Sequence, residues 1–251
     1  DTVTVLRKGR FAGSAAVTDV DPHRLAAMMV GSEVAATPLR RDAAAAGRTV
    51  LELSELQVDD NGGLPAVNGL NLVVRAGEIV GIAGVSGNGQ RELVEVLAGQ
   101  RTPRAGEVRV HGERYHGRRG EMQRHRLRCI PEEPLHNACV AAMSVAENLA
   151  LRNFDRPPLA RHRWLINRGA LRSSARSLIQ RFSVRPPAPD TPIGNLSGGN
   201  VQRAVLAREL SDPVDLLITA NPCFGLDFAA VADIHALIMA ARNAGAAVLL
   251  V

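Results

Sequence analysis

Apolar and polar residues alternate from the start of the chain. Thr2-Val3-Thr4-Val5-Leu6 predicts a strand, and Lys8-Gly9-Arg10 turns it toward Phe11-Ala12-Gly13. Asp21 before Pro22 is a cap and first-turn pair, and Leu25, Met28 and Met29 carry a helix from there to Gly31. Residues 34–48, with Pro38, Arg40-Arg41 and the alanine run 43–46, read as a linker, because the alanines offer no amphipathic face. Leu51 to Val58 alternates again and ends in the turn Asp59-Asp60-Asn61-Gly62-Gly63. After Gly77, Glu78-Ile79-Val80-Gly81-Ile82-Ala83 has the short apolar pattern of a buried strand. It runs into a glycine-rich loop, and Glu92 to Ala98 follows as a helix with Gly99 as its C-cap.

Residues 106–130 predict short strands and turns. Ser144-Val145-Ala146-Glu147 is a capping box that opens a helix through Leu149 and Leu151. Leu171, Ala175, Leu178, Ile179 and Phe182 form a helical stripe with arginines on the other face, and Pro186, Pro187, Pro189 and Pro192 mark a loop. A helix is expected at 200–210, and Asp215-Leu216-Leu217-Ile218-Thr219 reads as a second buried strand. Asp227 is expected to cap a helix running to about Ala241, and 246–251 is a third buried strand. Apolar strands alternating with helices predict an α/β fold with a largely parallel sheet.

A chain of 251 residues can hold a full α/β core and a smaller second unit. No apolar run approaches the ~20 residues of a membrane span, and residues 1–30 lack the pattern of a signal peptide. The chain opens on Asp1 and stops inside the apolar run ending at Val251, so a piece of a longer protein is expected. Cys129, Cys139 and Cys223 have no metal-ligand spacing, and reduced thiols in a cytoplasmic protein are the plain reading. The net charge of +5 is carried almost wholly by arginine, much of it between Arg101 and Arg128. Tyr115 is the lone aromatic there and Glu107, Glu113 and Glu121 are interspersed, which argues for an exposed, solvated face and against nucleic acid.

The chemistry gathers in two glycine-rich segments. Gly84-Val85-Ser86-Gly87-Asn88-Gly89-Gln90-Arg91 keeps the glycine frame of a Walker A phosphate loop between a strand and a helix. Backbone amides and a helix N-terminus can still cradle phosphate there. Gln90 stands where the motif carries its lysine, and Arg91 where a hydroxyl ligates Mg²⁺, so the point charge and the metal ligand are both missing. In Leu196-Ser197-Gly198-Gly199-Asn200, the Ser197 hydroxyl, the glycine amides and the following helix make an anion site suited to a γ-phosphate.

That second segment resembles the signature of ATP-binding-cassette (ABC) ATPases. With it, the phosphate loop and Ala220-Asn221-Pro222-Cys223-Phe224-Gly225-Leu226-Asp227 occur in the order of an ABC cassette. The chain resembles the tandem-cassette ATPases of bacterial importers for simple sugars and nucleosides, and within them the second cassette of the nucleoside (basic-membrane-protein) branch. The resemblance implies a P-loop NTPase cassette with a mostly parallel core, an antiparallel β subdomain and an α-helical signature subdomain over about 140–200. It implies a cassette over 49–251, truncated at its C-terminus, with 1–33 as the tail of a preceding cassette. On this alignment Ala220 and Asn221 replace the metal-holding and water-polarising carboxylates, which leaves no catalytic residue in this half. Gly225, Leu226 and Asp227 hold the D-loop position, and Glu132 and Glu133 lie in the Q-loop region, where Pro131-Glu132-Glu133-Pro134 departs from the usual Pro-Glu-Asp-Arg. The switch histidine would lie beyond Val251.

The resemblance further implies ATP and Mg²⁺ bound mainly at a site shared with the first cassette, which belongs to the same chain or to a homodimer mate. Membrane permease subunits and, indirectly, a substrate-binding lipoprotein are the implied partners, at the cytoplasmic face of the plasma membrane. Two other readings stand beside it: a soluble tandem ABC ATPase acting on ribosomes or nucleic acid, and a pseudo-ATPase scaffold that binds no nucleotide.

Overall fold

The computed structural model describes residues 1–7, 9–30, 47–162, 165–223, 226 and 228–251. At its centre four strands run parallel in the order β5 (Ile79–Gly81), β12 (Ala247–Leu250), β11 (Leu216–Thr219) and β8 (Leu127–Ile130). Every residue of β8 and β11 is buried, as a strand covered on both faces requires. The strand ends are in register, with Thr219 opposite both Ile130 and Leu250. Hydrogen bonds continue past them, from the amide of Ile82 to the Leu250 carbonyl (2.8 Å), of Ala220 to Ile130 (2.9 Å) and of Asn221 to Val251 (2.7 Å). The loops at 82–91, 131–133 and 220–223 therefore leave one edge of one sheet, where open α/β sheets bind ligands.

A second, antiparallel sheet runs β4 (Pro65–Arg75), β3 (Thr49–Asp59), β6 (Ala105–Val110) and β7 (Glu113–Arg114). Its first turn is closed by Asp60, whose carboxylate takes the amides of Gly62 (2.7 Å) and Leu64 (2.9 Å). Helix α2 (Gln90–Leu97) joins the two sheets, burying Leu93, Val96 and Leu97 with Leu51, Leu53 and Leu56 of β3 and Leu127 and Leu216 of the parallel sheet. The buried Tyr115 hydroxyl donates to the Leu97 carbonyl (2.8 Å) and satisfies a helix-end acceptor.

The third layer is helical. Ser144 and Glu147 form the expected capping box of α5 (Val145–Ala150), and Asn167 caps α6 (Arg168–Arg181). These helices pack on α7 (Gly198–Glu209) through Val145, Leu149, Ala175, Ile179, Val201 and Ala204. Two other residues of α7, Val205 and Leu206, face Leu217 and Val248 of the parallel sheet and Ile234 and Ile238 of α8 (Phe228–Asn243). Truncating Leu206 to alanine would cost about 2–5 kcal/mol. At the chain start, β1 (Thr2–Arg7) and β2 (Arg10–Ala16) form a hairpin, and Asp21 caps α1 (Pro22–Val30) through the Arg24 amide (2.7 Å).

Several expectations are corrected. The strand β4 and the short helix α3 (Arg119–Arg124) are additions to the sequence reading. The run at 78–83, expected as a buried strand, is paired only over Ile79–Gly81 and is half-buried to exposed. The helices expected from Glu92 and from 200 begin earlier, at Gln90 and Gly198. At the end of the expected linker, the Gly47 amide donates to the Ala76 carbonyl and the Arg48 carbonyl accepts the Ala76 amide, just before β3 begins. Most of the linker, 34–46, lies outside the described residues. The arginine-rich stretch is ion-paired: Arg101 to Glu95, Arg104 to Asp59, Arg119 to Asp155, Arg124 to Glu113 and Arg126 to Asp215. The remaining segments are α4 (Pro134–Asn137) and a hairpin of β9 (Ala160–Arg161) and β10 (Leu165–Ile166).

Candidate functional site

The phosphate loop leaves β5 and enters α2 through two left-handed glycines, Gly87 (φ 94°) and Gly89 (φ 89°). Gly89 admits no side chain, because a Cβ there would collide with the carbonyl of Ala66 in β4. Gly84, Ser86, Gly87 and Asn88 are exposed, and nothing lies within 4 Å of the space a Cβ on Gly87 would take. The loop thus turns at the glycines that the spacing singled out.

Its two departures from a working loop have definite positions. The Gln90 carboxamide folds back over the loop, its Nε2 donating to the Val85 carbonyl (3.1 Å) and its Oε1 accepting the Asn88 amide (3.0 Å). Arg91 turns outward to Glu95, one helical turn on, at 2.8 Å. That contact holds the Arg91 guanidinium above its ordinary range. Burial pushes the Glu95 carboxyl up, but hydrogen bonds from Arg91 and Arg101 outweigh it and hold the group below its usual value. Neither residue presents a charge to the cradle, and Arg91 offers no oxygen to a metal ion.

At the neighbouring strand exits, Ala220 supplies no polar group and Asn221 adopts a left-handed conformation (φ 40°). The Asn221 Nδ2 donates to Glu132 Oε1 at 2.9 Å. Glu133 (φ 49°) begins α4 and has no such contact with the 220–223 loop. Positions 91, 220 and 221 thus carry no hydroxyl or carboxylate for a nucleotide-bound Mg²⁺. Sequence reading missed the Glu132–Asn221 bond. It follows from the parallel pairing of β8 with β11, which no local pattern announces.

The signature sits at the start of α7, with Leu196 buried and Ser197 in extended conformation (ψ 155°) as the N-cap. The Ser197 Oγ accepts from Asn200 Nδ2 (2.9 Å), and Asn200 Oδ1 accepts the Arg185 amide (2.7 Å), which ties the proline-rich loop to the helix start. A Cβ on Gly198 would meet nothing within 4 Å, whereas one on Gly199 would lie against Leu226 (3.7 Å) and Ala230 (3.8 Å). Gly198 thus fronts open space at the positive end of a twelve-residue helix, an arrangement that fits a phosphate oxygen. Among the described residues no hydrogen bond or ion pair joins 84–91 to 196–200. Of the expected D-loop residues, Leu226 touches this region, while Gly225 and Asp227 lie outside the described residues.

Comparison with known proteins agrees with this geometry. The family model for the ABC transporter matches residues 67–223. Over its whole length the chain is 36% identical to the nucleoside import ATP-binding protein NupA of Lactococcus lactis subsp. cremoris, covering 49% of that protein. It is 38% identical to the guanosine import ATP-binding protein NupO of Bacillus subtilis, also over 49% of the relative, and 39% identical to the glucose import ATP-binding protein TsgD13 of Haloferax volcanii, over 46%. The chain spans about half the length of these curated relatives. Among solved structures, a nucleotide-free ATP-binding cassette from an ABC transporter superposes with a TM-score of 0.66 at 18% identity, over 81% of each chain. The ADP conformation of the cassette MJ1267 gives 0.63 at 18% identity, over 81% of this chain and 80% of the other. These likenesses show the P-loop ABC ATPase fold.

Proposed function

The chain belongs to the ABC transporter family, and from that membership we propose that it is the second, C-terminal cassette of a tandem importer ATPase for simple sugars or nucleosides. In this reading its signature completes the ATP site of the first cassette, while its own phosphate loop forms a degraded site. Residues 1–33 are then the tail of the first cassette and 34–48 the connection. Half-length coverage of the import ATP-binding relatives supports the tandem arrangement.

One observation carries the reading. The open space beside Gly198 at the start of α7 coexists with Gln90 and Arg91 where a phosphate loop carries lysine and a hydroxyl, and with Ala220 and Asn221 where two carboxylates are expected. ATP bound on the first cassette would supply the bond to be cleaved, and Mg²⁺ its charge neutralisation, there rather than here. The work of this chain is to present Ser197, the Gly198 and Gly199 amides and the α7 dipole to the γ-phosphate, and to exclude water as the cassettes close. Permease subunits are the partners that such closure would drive. Among the described residues no helix is long and apolar enough to cross a membrane, in keeping with a peripheral subunit.

The test is steady-state Mg-ATP hydrolysis by the full-length parent protein, wild type against Gly198→Asp and Gly198→Ala. Both side chains have room here. The aspartate sets a carboxylate against the γ-phosphate and is expected to reduce turnover on the order of 100-fold or more. The alanine separates charge from bulk. Unchanged turnover in Gly198→Asp would overturn the reading.

A further inference from the structure

The Gln90 carboxamide is the most constrained polar group of the phosphate loop. It bridges the two arms of the cradle, bonded to the Val85 carbonyl on one side and the Asn88 amide on the other. A Cβ built on Gly84 would stand 2.5 Å from its Nε2, so the carboxamide fills the space over the first glycine of the motif. The Asn88 amide is one of the donors a phosphate oxygen would need, and here it already has an acceptor. That acceptor is tethered to the same loop, and a tethered group competes at an effective concentration no free ligand matches without displacing it.

We propose that Gln90 is a self-inhibitory plug of this phosphate loop: its carboxamide occupies the anion cradle in the absence of nucleotide, and phosphate enters only when the side chain swings out. The inference rests on the reading of 84–91 as a nucleotide loop. It reverses the usual consequence of altering this position. A lysine there attracts the nucleotide, so its removal weakens binding, whereas removal of Gln90 frees the Asn88 donor and strengthens it. Gly84 provides an independent handle. Its φ lies outside the left-handed range and its Cβ would meet only the Gln90 side chain, so a methyl group there evicts the plug and leaves the backbone as it is.

The experiment is hydrogen exchange of the peptide spanning 82–93 in the full-length parent protein, with Mg-ATP and inorganic pyrophosphate as probes. In wild type the Asn88 amide should be protected without ligand. In Gln90→Ala and in Gly84→Ala that protection should be lost, and the Mg-ATP concentration giving half-maximal protection should fall by about three- to ten-fold, the worth of one released hydrogen bond. Pyrophosphate should act likewise, because the competition is for phosphate. Half-saturation that rises or stays level in either variant overturns the proposal. So does the absence of ligand protection in all three proteins, since an unplugged cradle must accept phosphate. Failure of the functional reading shows elsewhere, as intact turnover in Gly198→Asp.

Discussion

The side chains of Asn221 and Glu132, 89 residues apart in sequence, meet at 2.9 Å across two adjacent strand exits, with the amide as donor and the carboxylate as acceptor. Asn221→Glu would replace the bond by two facing carboxylates at an exposed site, where salt screens their repulsion. We expect a deficit of up to about 1 kcal/mol at low salt, or roughly 2–4 °C in Tm. Thermal melts at low and high ionic strength should show the gap narrowing as salt rises. An equal gap at both salt concentrations would rule out the repulsion.

The capping box of α5 makes stability depend on pH. The Ser144 hydroxyl and amide both donate to Glu147 (2.7 and 2.8 Å) and hold its carboxyl below the usual range. The Glu147 amide returns a bond to Ser144 Oγ (3.2 Å). Ser144→Ala should cost about 1 kcal/mol near neutral pH. A depressed carboxyl contributes its stability above the unfolded pKa and loses it as pH falls through the folded one. The difference between variant and wild type should therefore shrink in strongly acidic buffer, measured by urea titration.

Two glycines of the phosphate loop separate strain from collision. Both have left-handed φ, but a methyl group on Gly87 points into open space while one on Gly89 strikes the Ala66 carbonyl. Gly87→Ala should cost about 1–2 kcal/mol, the conformational penalty alone. Gly89→Ala should cost upward of about 3 kcal/mol, because β4 has to move. Denaturant midpoints of the two variants give the comparison, and equal values would mean that β4 yields freely.

The sequence is legible where chemistry punctuates it. The left-handed glycines 87 and 89, the Ser144–Glu147 pair and the Ser197 cap each stand at a position that restricts the backbone, and the structure has all of them. Strand β4 has no counterpart in the sequence reading, since Asn68, Gly69 and Asn71 interrupt its apolar pattern. They form instead an irregularity in the ladder with β3, where Asn71 accepts the Glu55 amide (2.9 Å) and bonds the Glu55 carboxylate in return. Helix α3 has six residues and a single buried side chain, Met122, too few for a period to emerge. The placement of Glu132 beside Asn221 and of Gln90 across its own loop depends on strand pairing and on a rotamer, neither of which is written in local spacing.

Helix α7 belongs to two hydrophobic clusters at once, with Val201 and Ala204 in the helical layer and Val205 and Leu206 against the parallel sheet. A rod wedged this way has no slack, since close-packed side chains transmit displacement instead of absorbing it. A load applied at Gly198 would pass to Leu217 and Val248 in the floor of the sheet, as through a stiff pawl instead of a hinge.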